Sequence, residues 1–222
     1  DRVIAGPEKK SRVINPKEKE MIAHHEAGHA LVAKRLPHAD PVHKVSIIAR
    51  GMMGGYTRLL PTEDRYLATR SQLMAQLSVL LAGHAAEEIV FNERTSGPNN
   101  DIERATKIAR SMVTELGMSD KLGPRTFGHK ESLVFLGKEI SEQRDYSERI
   151  ALEIDREVDT IMQQAYAIAR DILTKEKDRL AWIAQKLLAD ETVEGEILER
   201  LFADPVPPPQ GEKTVLAKSS TV

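Results

Sequence analysis

Residues 15–37 combine strong helix boundaries with two histidines on the side of the helix that should be buried. Asn15 can cap the helix, Pro16 suits the first helical position, and Pro37 bounds the end. One helical stripe along this stretch is formed by Met21, His25, His29, Val32 and Leu36. Because a buried histidine needs a polar partner, the chain must bring polar groups from elsewhere to this helix.

The pentapeptide His25-Glu26-Ala27-Gly28-His29 has the pattern H-E-x-x-H. Positions i and i+4 of a helix lie one turn apart, so both imidazoles can reach a single tetrahedral metal ion. Glu26, about 100° further round the helix, can reach a water on that ion without being a ligand itself. This division of roles suits a hydrolase in which the metal activates water and the carboxylate takes its proton. His24 lies off the stripe, where a surface or supporting position is expected.

Two histidines do not complete a metal site, so a third ligand must come from another part of the chain. The chain has no cysteine, which excludes Cys-ligated zinc, including that of the peptide deformylases. Arg35 stands where the extended metzincin pattern has its third histidine, and that class is excluded too. Two candidate sources remain on apolar helix faces: Asp101, or the cluster of His84, Glu87 and Glu88. Spacing alone does not choose between them.

The remaining pattern predicts a mainly helical, α+β domain with a small β hairpin or ribbon next to the histidine helix. Two β-forming runs, 45–48 and 56–60, flank a glycine-rich turn. The exposed edge of such a hairpin can pair with an extended peptide, or the hairpin can be purely structural. The predicted helices cover about 69–91, 100–116 with an Asn100/Glu103 capping box, 143–174, 177–189 and 193–203.

Composition excludes several classes of function. The net charge of −2, from 32 basic and 34 acidic residues, gives no reason to expect a nucleic-acid partner or an anionic membrane surface. No apolar run approaches the roughly 20 residues of a membrane-spanning helix, so we expect no membrane insertion by these residues and a soluble fragment. Residues 1–14 are predicted to be a linker, 15–203 the folded domain, and 204–222 a disordered Pro-rich and polar tail.

Five motifs, in order along the chain, resemble the protease domain of the FtsH family of membrane-anchored AAA+ zinc metalloproteases. They are "HEAGHALV", "VHKVSIIARG" with "GGYT", "LAGHAAEEIVF", "TSGPNNDIERATKIARSMV" and "GMSDKLGP", within a similarity that covers about residues 1–203. Two departures are visible: Pro98 stands where Ala is common in the family, and His84 where Arg is common. Neither departure falls on a zinc position.

The resemblance implies a ligand set and a partner. It implies that His25, His29 and Asp101 bind one Zn²⁺ per chain, that Glu26 is the catalytic carboxylate, and that Glu87 or Glu88 orients the site. It further implies a homo-hexamer, membrane-anchored in the full-length protein with the protease domain on the cytoplasmic side, which cleaves unfolded or membrane proteins. ATP would be needed only by the full-length protein, because no G-x-x-x-x-G-K-[ST] pattern occurs in these residues.

A different class of function is also open at this point. The long helix predicted over 143–174 and the two helices after it are compatible with a non-catalytic oligomerisation module in which the metal is structural or absent. Stoichiometric zinc with chelator-sensitive cleavage of casein would favour the protease; a metal-free folded oligomer would favour the module.

Overall fold

The computed structural model describes residues 15–48, 54–60, 66–130, 142–143 and 145–207. The six helices of these residues are α1 Pro16–Arg35, α2 Arg70–Phe91, α3 Asn99–Thr114, α4 Glu148–Lys175, α5 Lys177–Asp190 and α6 Gly195–Ala203. The strands are β1 Val42–Ser46, β2 Tyr56–Leu59, β3 His129–Lys130, β4 Glu142–Gln143 and β5 Thr192–Glu194. A mainly helical fold with a small β component is therefore confirmed.

Local sequence accounts for the start of the two central helices. The side chain of Asn15 accepts a hydrogen bond from the Lys17 N–H, and Pro16 occupies the first turn of α1. Helix α2 begins with a capping box between Thr69 and Gln72. For α3 the predicted Asn100 cap is wrong, because the N-cap is Pro98 and no side chain caps this helix. The ring of Pro98 fixes its φ near the value found in helices. The helix therefore begins at Asn99, one residue earlier than predicted.

Close packing of α1 against α2 brings the histidine helix into the centre of the domain. A Cβ on Gly28 would lie 2.8 Å from the Ala82 carbonyl oxygen and from the Ala86 Cβ, so only glycine permits this approach. By length and composition α2 is apolar enough to cross a membrane, but 61% of its most apolar window is buried inside the fold. Burial against α1 and α4 explains its composition without a membrane.

The predicted hairpin is part of a three-stranded antiparallel sheet with the order β2–β1–β5. Strand β1 is central: Val45 pairs with Thr57 of β2 on one side and with Val193 of β5 on the other. The prediction of helix from residue 193 was wrong for 193–194, since Val193 fills the core and its strand is stabilised by pairing with β1. Most of the turn between β1 and β2 lies outside the described residues.

Two hydrophobic clusters form the core. One cluster packs α1 and the second half of α2 against the sheet, α5 and α6, and includes Leu31, Val45 and Leu187. The other packs the first half of α2 against α3 and α4, and includes Leu77 and Met112. Since α2 contributes to both clusters, it fixes the position of α3 relative to α1. The predicted linker 1–14 and the part of the predicted tail from 208 onwards lie outside the described residues.

Candidate metal centre

Helix α1 presents His25 and His29 one turn apart, both buried against α2. Their Nε2 atoms lie 2.9 Å apart, and the two ring centroids 4.6 Å apart. On α2, a Cβ added at Gly83 would overlap the His25 ring, so this glycine makes room for the imidazole. The predicted pair of histidines is therefore convergent in the fold.

Asp101 approaches the two histidines from the first turn of α3. Its Oδ2 lies 3.3 Å from His25 Nε2 and 3.2 Å from His29 Nε2. One ligand atom from each of these three residues lies within 4.8 Å of the others. In a tetrahedral zinc site with bonds of about 2.0–2.1 Å, ligand atoms are roughly 3.3 Å apart. The triangle of ligand atoms thus has the size that such an ion requires.

The other ring nitrogens of both histidines are occupied as donors. His25 Nδ1 donates to Glu87 Oε1 at 2.8 Å, and His29 Nδ1 donates to the main-chain oxygen of Val79 at 2.6 Å. In the neutral rings both Nε2 atoms then carry lone pairs, which face each other and the Asp101 carboxylate. Three lone-pair donors at this distance repel one another unless a cation or a proton lies between them. The donor set therefore fits a divalent metal ion with two imidazole ligands and one carboxylate.

Without a metal, a proton between the two imidazoles and the Asp101 carboxylate supplies the positive charge. Burial alone would lower the pKa of His25, but the hydrogen bonds to Asp101 and Glu87 raise it to about 10. Burial likewise acts against ionisation of Asp101, yet its contacts with the two histidines hold its pKa well below the usual range. The pocket thus favours an ionised carboxylate and a cation next to it.

Glu87 connects this centre to the loop between α2 and α3. Its second oxygen, Oε2, accepts hydrogen bonds from the Thr95 hydroxyl at 2.8 Å and from the Thr95 N–H at 3.3 Å. Burial would raise the pKa of Glu87, but the hydrogen bonds from His25 and Thr95 hold it below its usual value. The same loop leads directly into the turn that carries Asp101, so Glu87 contacts one histidine and anchors the segment before the aspartate.

Glu26 lies beside the centre and is buried at 6% exposure. The hydroxyl of Thr57, on β2, lies 2.8 Å from Glu26 Oε2. Burial raises the pKa of Glu26, against the opposing influence of His25, His29 and the Thr57 hydrogen bond. Glu26 follows His25 directly in α1, so it is the residue next to the first of the two histidines.

Residues 12–201 match the sequence profile of peptidase family M41. The chain belongs to peptidase family M41. Curated relatives with similar sequences include "ATP-dependent zinc metalloprotease FtsH 1" of Thermomicrobium roseum and of Sphaerobacter thermophilus. Each is 60% identical over 210 residues, which cover 95% of this chain and 32% of the relative. "ATP-dependent zinc metalloprotease FtsH" of Thermotoga maritima is 53% identical over 205 residues, which cover 92% of this chain and 34% of the relative. The chain therefore spans about a third of the length of these relatives.

Membership of the M41 family confirms the resemblance to FtsH proteases that the sequence motifs indicated, and with it the assignment as a protease domain. The alternative of a purely structural helical module receives no support from this match. Helices α4 to α6 are present, but within the described residues they pack onto the same domain as the metal centre.

The remaining sequence candidates lie away from the three convergent atoms of His25, His29 and Asp101. Glu88 contacts Arg94 and the Tyr166 hydroxyl, at 3.0 Å each. His84 packs its ring against Tyr166. His24 is buried rather than on the surface: its Nδ1 donates to the Glu20 main-chain oxygen, and its ring meets Phe91 edge-on.

Sequence reasoning missed three groups that contact the site of this M41 domain: the Thr57 hydroxyl, the Val79 carbonyl and Thr95. Every residue has a main-chain carbonyl, so the sequence does not indicate which one accepts a hydrogen bond from a histidine. Both threonines lie within motifs quoted above: Thr57 ends "GGYT", and Thr95 begins "TSGPNNDIERATKIARSMV". No pattern within those stretches selects a hydroxyl that points towards the centre.

Proposed function

We propose that this chain is the catalytic domain of a zinc endopeptidase, in which His25, His29 and Asp101 bind one zinc ion and Glu26 is the general base. The convergence of the three ligand atoms beside a buried carboxylate carries this proposal. The names of the relatives, which are called zinc metalloproteases, support zinc as the metal. Two imidazoles and one carboxylate match a catalytic site that keeps a fourth position free.

Zinc at this position would acidify a water molecule and polarise the carbonyl of the peptide bond. The residues of the chain perform the remaining steps. Glu26 accepts the proton of the attacking water and delivers it to the nitrogen of the leaving amine. Its raised pKa suits this exchange, because a carboxylate with a higher pKa is a stronger base for the proton of the water. Glu87 and the Val79 carbonyl hold the two imidazoles in the orientation that presents Nε2 to the metal.

The decisive experiment compares Glu26→Gln with the zinc-loaded chain on an unfolded protein such as casein. The variant should retain one zinc per chain and lose activity by about 100-fold or more, the usual contribution of a general base. Glu20→Gln, an exposed acidic position on the same helix, serves as the matched control and should cleave normally. Wild-type cleavage by Glu26→Gln would refute the mechanism.

The ligand set has its own test. Anomalous scattering at the zinc absorption edge, from crystals of the zinc-loaded chain, would locate the ion and list its ligand atoms. We expect His25 Nε2, His29 Nε2 and one oxygen of Asp101. An ion coordinated by Glu87, Glu88 or His84 would contradict the assignment.

For the longer protein we propose ATP-dependent cleavage of unfolded or membrane proteins by a membrane-anchored homo-hexamer with its protease domain on the cytoplasmic side. The relatives' names support the ATP dependence, and the FtsH resemblance supports the rest. The ATP-binding pattern does not occur in these 222 residues, so ATP binding belongs to other sequence. Native mass spectrometry of the intact protein tests the hexamer, and ATP-dependent degradation of a membrane substrate in vesicles tests the activity.

The domain limits are also a proposal: a linker from an ATPase module over 1–14, the protease domain over 15–203, and a disordered tail over 204–222. The family match over 12–201 and the end of α6 at Ala203 support these limits. Limited proteolysis should remove both ends and leave a core with these boundaries.

A further inference from the structure

We propose that Thr57 is a positioning residue for Glu26; this inference rests on the function proposed above. The Thr57 hydroxyl lies 2.8 Å from Oε2 of the Glu26 side chain and 3.2 Å from the main-chain oxygen of the same residue. Both acceptors of this single hydroxyl thus belong to the residue that we assign as the base. No other residue among those described donates a side-chain hydrogen bond to the Glu26 carboxylate.

A glutamate side chain has three rotatable bonds, so a buried carboxylate needs external contacts to stay in one orientation. The Thr57 hydroxyl holds one oxygen of the carboxylate. Gly55 closes the other side, since a Cβ there would lie 2.9 Å from both Glu26 Cγ and Oε1. With Oε2 bonded to the hydroxyl, Oε1 is left to receive the proton of the attacking water. Within the described residues, no hydrogen bond to Oε1 is found.

The sheet fixes Thr57 in this place. Strand β2 pairs with β1 in a register that sets Thr57 opposite Val45, a fully buried residue, and Tyr56 opposite Ser46. Because side chains alternate between the two faces of a strand, a slip of one residue would turn the hydroxyl away from α1. Thr57 therefore acts through the position of β2, the strand at the edge of the described sheet.

The contacts of Thr57 separate this role from metal binding. Its side-chain hydrogen bonds go to Glu26, and within the described residues no hydrogen bond joins it to His25, His29 or Asp101. Loss of the hydroxyl should therefore impair the base and spare the zinc. A residue that merely stabilised the fold would change zinc content and stability together with activity.

The experiment compares Thr57→Val, which removes the hydroxyl at nearly constant volume, with Thr57→Ser, which retains it. Thr192→Val is the matched control, because Thr192 lies in the same sheet, is partly buried, and also forms one side-chain hydrogen bond, 2.8 Å from Ser46 Oγ. All variants are studied as zinc-loaded chains. The measurements are kcat and KM on unfolded casein, zinc content, the unfolding midpoint, and the affinity for a peptide hydroxamate, whose zinc-binding group donates a hydrogen bond to a carboxylate beside the metal.

We expect Thr57→Val to lower kcat by about tenfold to 100-fold relative to Thr192→Val, as for the loss of a hydrogen bond to a charged group. KM and zinc content should be nearly unchanged, the hydroxamate should bind about tenfold more weakly, and Thr57→Ser should restore most of the activity. The hydroxamate measurement does not depend on turnover, so it tests the same contact even where cleavage is slow.

Three results would overturn the inference: equal activity of Thr57→Val and Thr192→Val, a serine variant as impaired as the valine variant, or a loss of activity that follows a loss of zinc. Glu26→Gln in the same series distinguishes a failure of the role of Thr57 from a failure of the proposed function. If Glu26→Gln is inactive while Thr57→Val is fully active, only the role of Thr57 is refuted. If Glu26→Gln itself cleaves normally, the proposed function is refuted first.

Discussion

Glu87 of α2 and His25 of α1 form a buried hydrogen bond: Glu87 Oε1 accepts from His25 Nδ1 at 2.8 Å, with side-chain exposures of 4% and 11%. The neighbouring glutamate, Glu88, faces the other way and contacts Arg94 and Tyr166. Two adjacent residues of the same type thus differ completely in their relation to the metal centre.

This difference predicts that Glu87→Gln weakens zinc binding and Glu88→Gln does not. The amide retains the size of the carboxylate but loses the charge that would make His25, as a proposed ligand, bind zinc better. Loss of such an outer contact typically costs about 10-fold to 100-fold in affinity. Competition with a chromophoric chelator measures the affinity of both variants. Equal affinities in the two variants would show that the contact with His25 does not influence the metal.

The apparent zinc affinity should rise with pH. In the metal-free chain the pKa of His25 is raised from 6.5 to about 10, since the hydrogen bonds to Asp101 and Glu87 outweigh burial. At neutral pH the ring is therefore protonated, and zinc must displace that proton. Below the folded-state pKa, the apparent association constant should increase by about tenfold for each pH unit.

Zinc-buffered titrations between pH 6.5 and 8.5 test this slope, over about two pH units, and calorimetry in buffers of different ionisation enthalpy counts the released protons. In Glu87→Gln the raising influence of one carboxylate is gone, so the curve should level off at a lower pH. An affinity that stays constant over this range in the wild type would mean that His25 is already neutral before zinc binds.

Predictions from the sequence succeeded where local residues decide the structure. Helix α1 begins as Asn15 and Pro16 predict, because capping depends on neighbours along the chain. The H-E-x-x-H spacing predicted the convergence of His25 and His29 for the same reason, since it follows from helix geometry alone.

The sequence could not decide matters that depend on how elements pack. By periodicity alone both Glu87 and Glu88 are candidates on the apolar side of α2, and the choice between them depends on the rotation of α2 against α1. That rotation is set by close contacts at Gly28 and Gly83, which periodicity does not reveal. Strand β5 was missed because it is stabilised by pairing with β1, about 150 residues earlier by sequence numbering.

His84 offers a prediction about stability. Its Nδ1 is buried and has no hydrogen-bond partner among the described residues, while its ring contacts Tyr166. An unsatisfied buried polar atom costs about 1–3 kcal/mol. His84→Phe keeps a ring at this position without the nitrogen, so the free energy of unfolding should increase by about 1 kcal/mol. Zinc affinity should not change, since His84 contacts none of the three proposed ligands. Urea unfolding and chelator competition measure the two quantities, and a loss of zinc would show that His84 supports the centre.

Gly83 provides the most direct test of how the packing of α2 shapes the metal centre. A Cβ at this position would overlap the His25 ring. Alanine is favoured over glycine in a helix by about 1 kcal/mol, but overpacking costs about 1–3 kcal/mol, so Gly83→Ala should gain no stability.

The His25 ring must move to admit the methyl group of Gly83→Ala, and it then loses either its alignment with Glu87 or its distance to Asp101. We therefore expect zinc affinity to fall by at least tenfold, in line with other changes next to a metal ligand. Gly97→Ala is the control, because its Cβ would meet the Thr95 hydroxyl at 3.2 Å and Glu87 Oε1 at 3.7 Å, an ordinary contact distance, but not the His25 ring. If Gly83→Ala binds zinc as tightly as Gly97→Ala, the His25 ring accommodates the methyl group without a loss of zinc affinity, and the prediction is wrong.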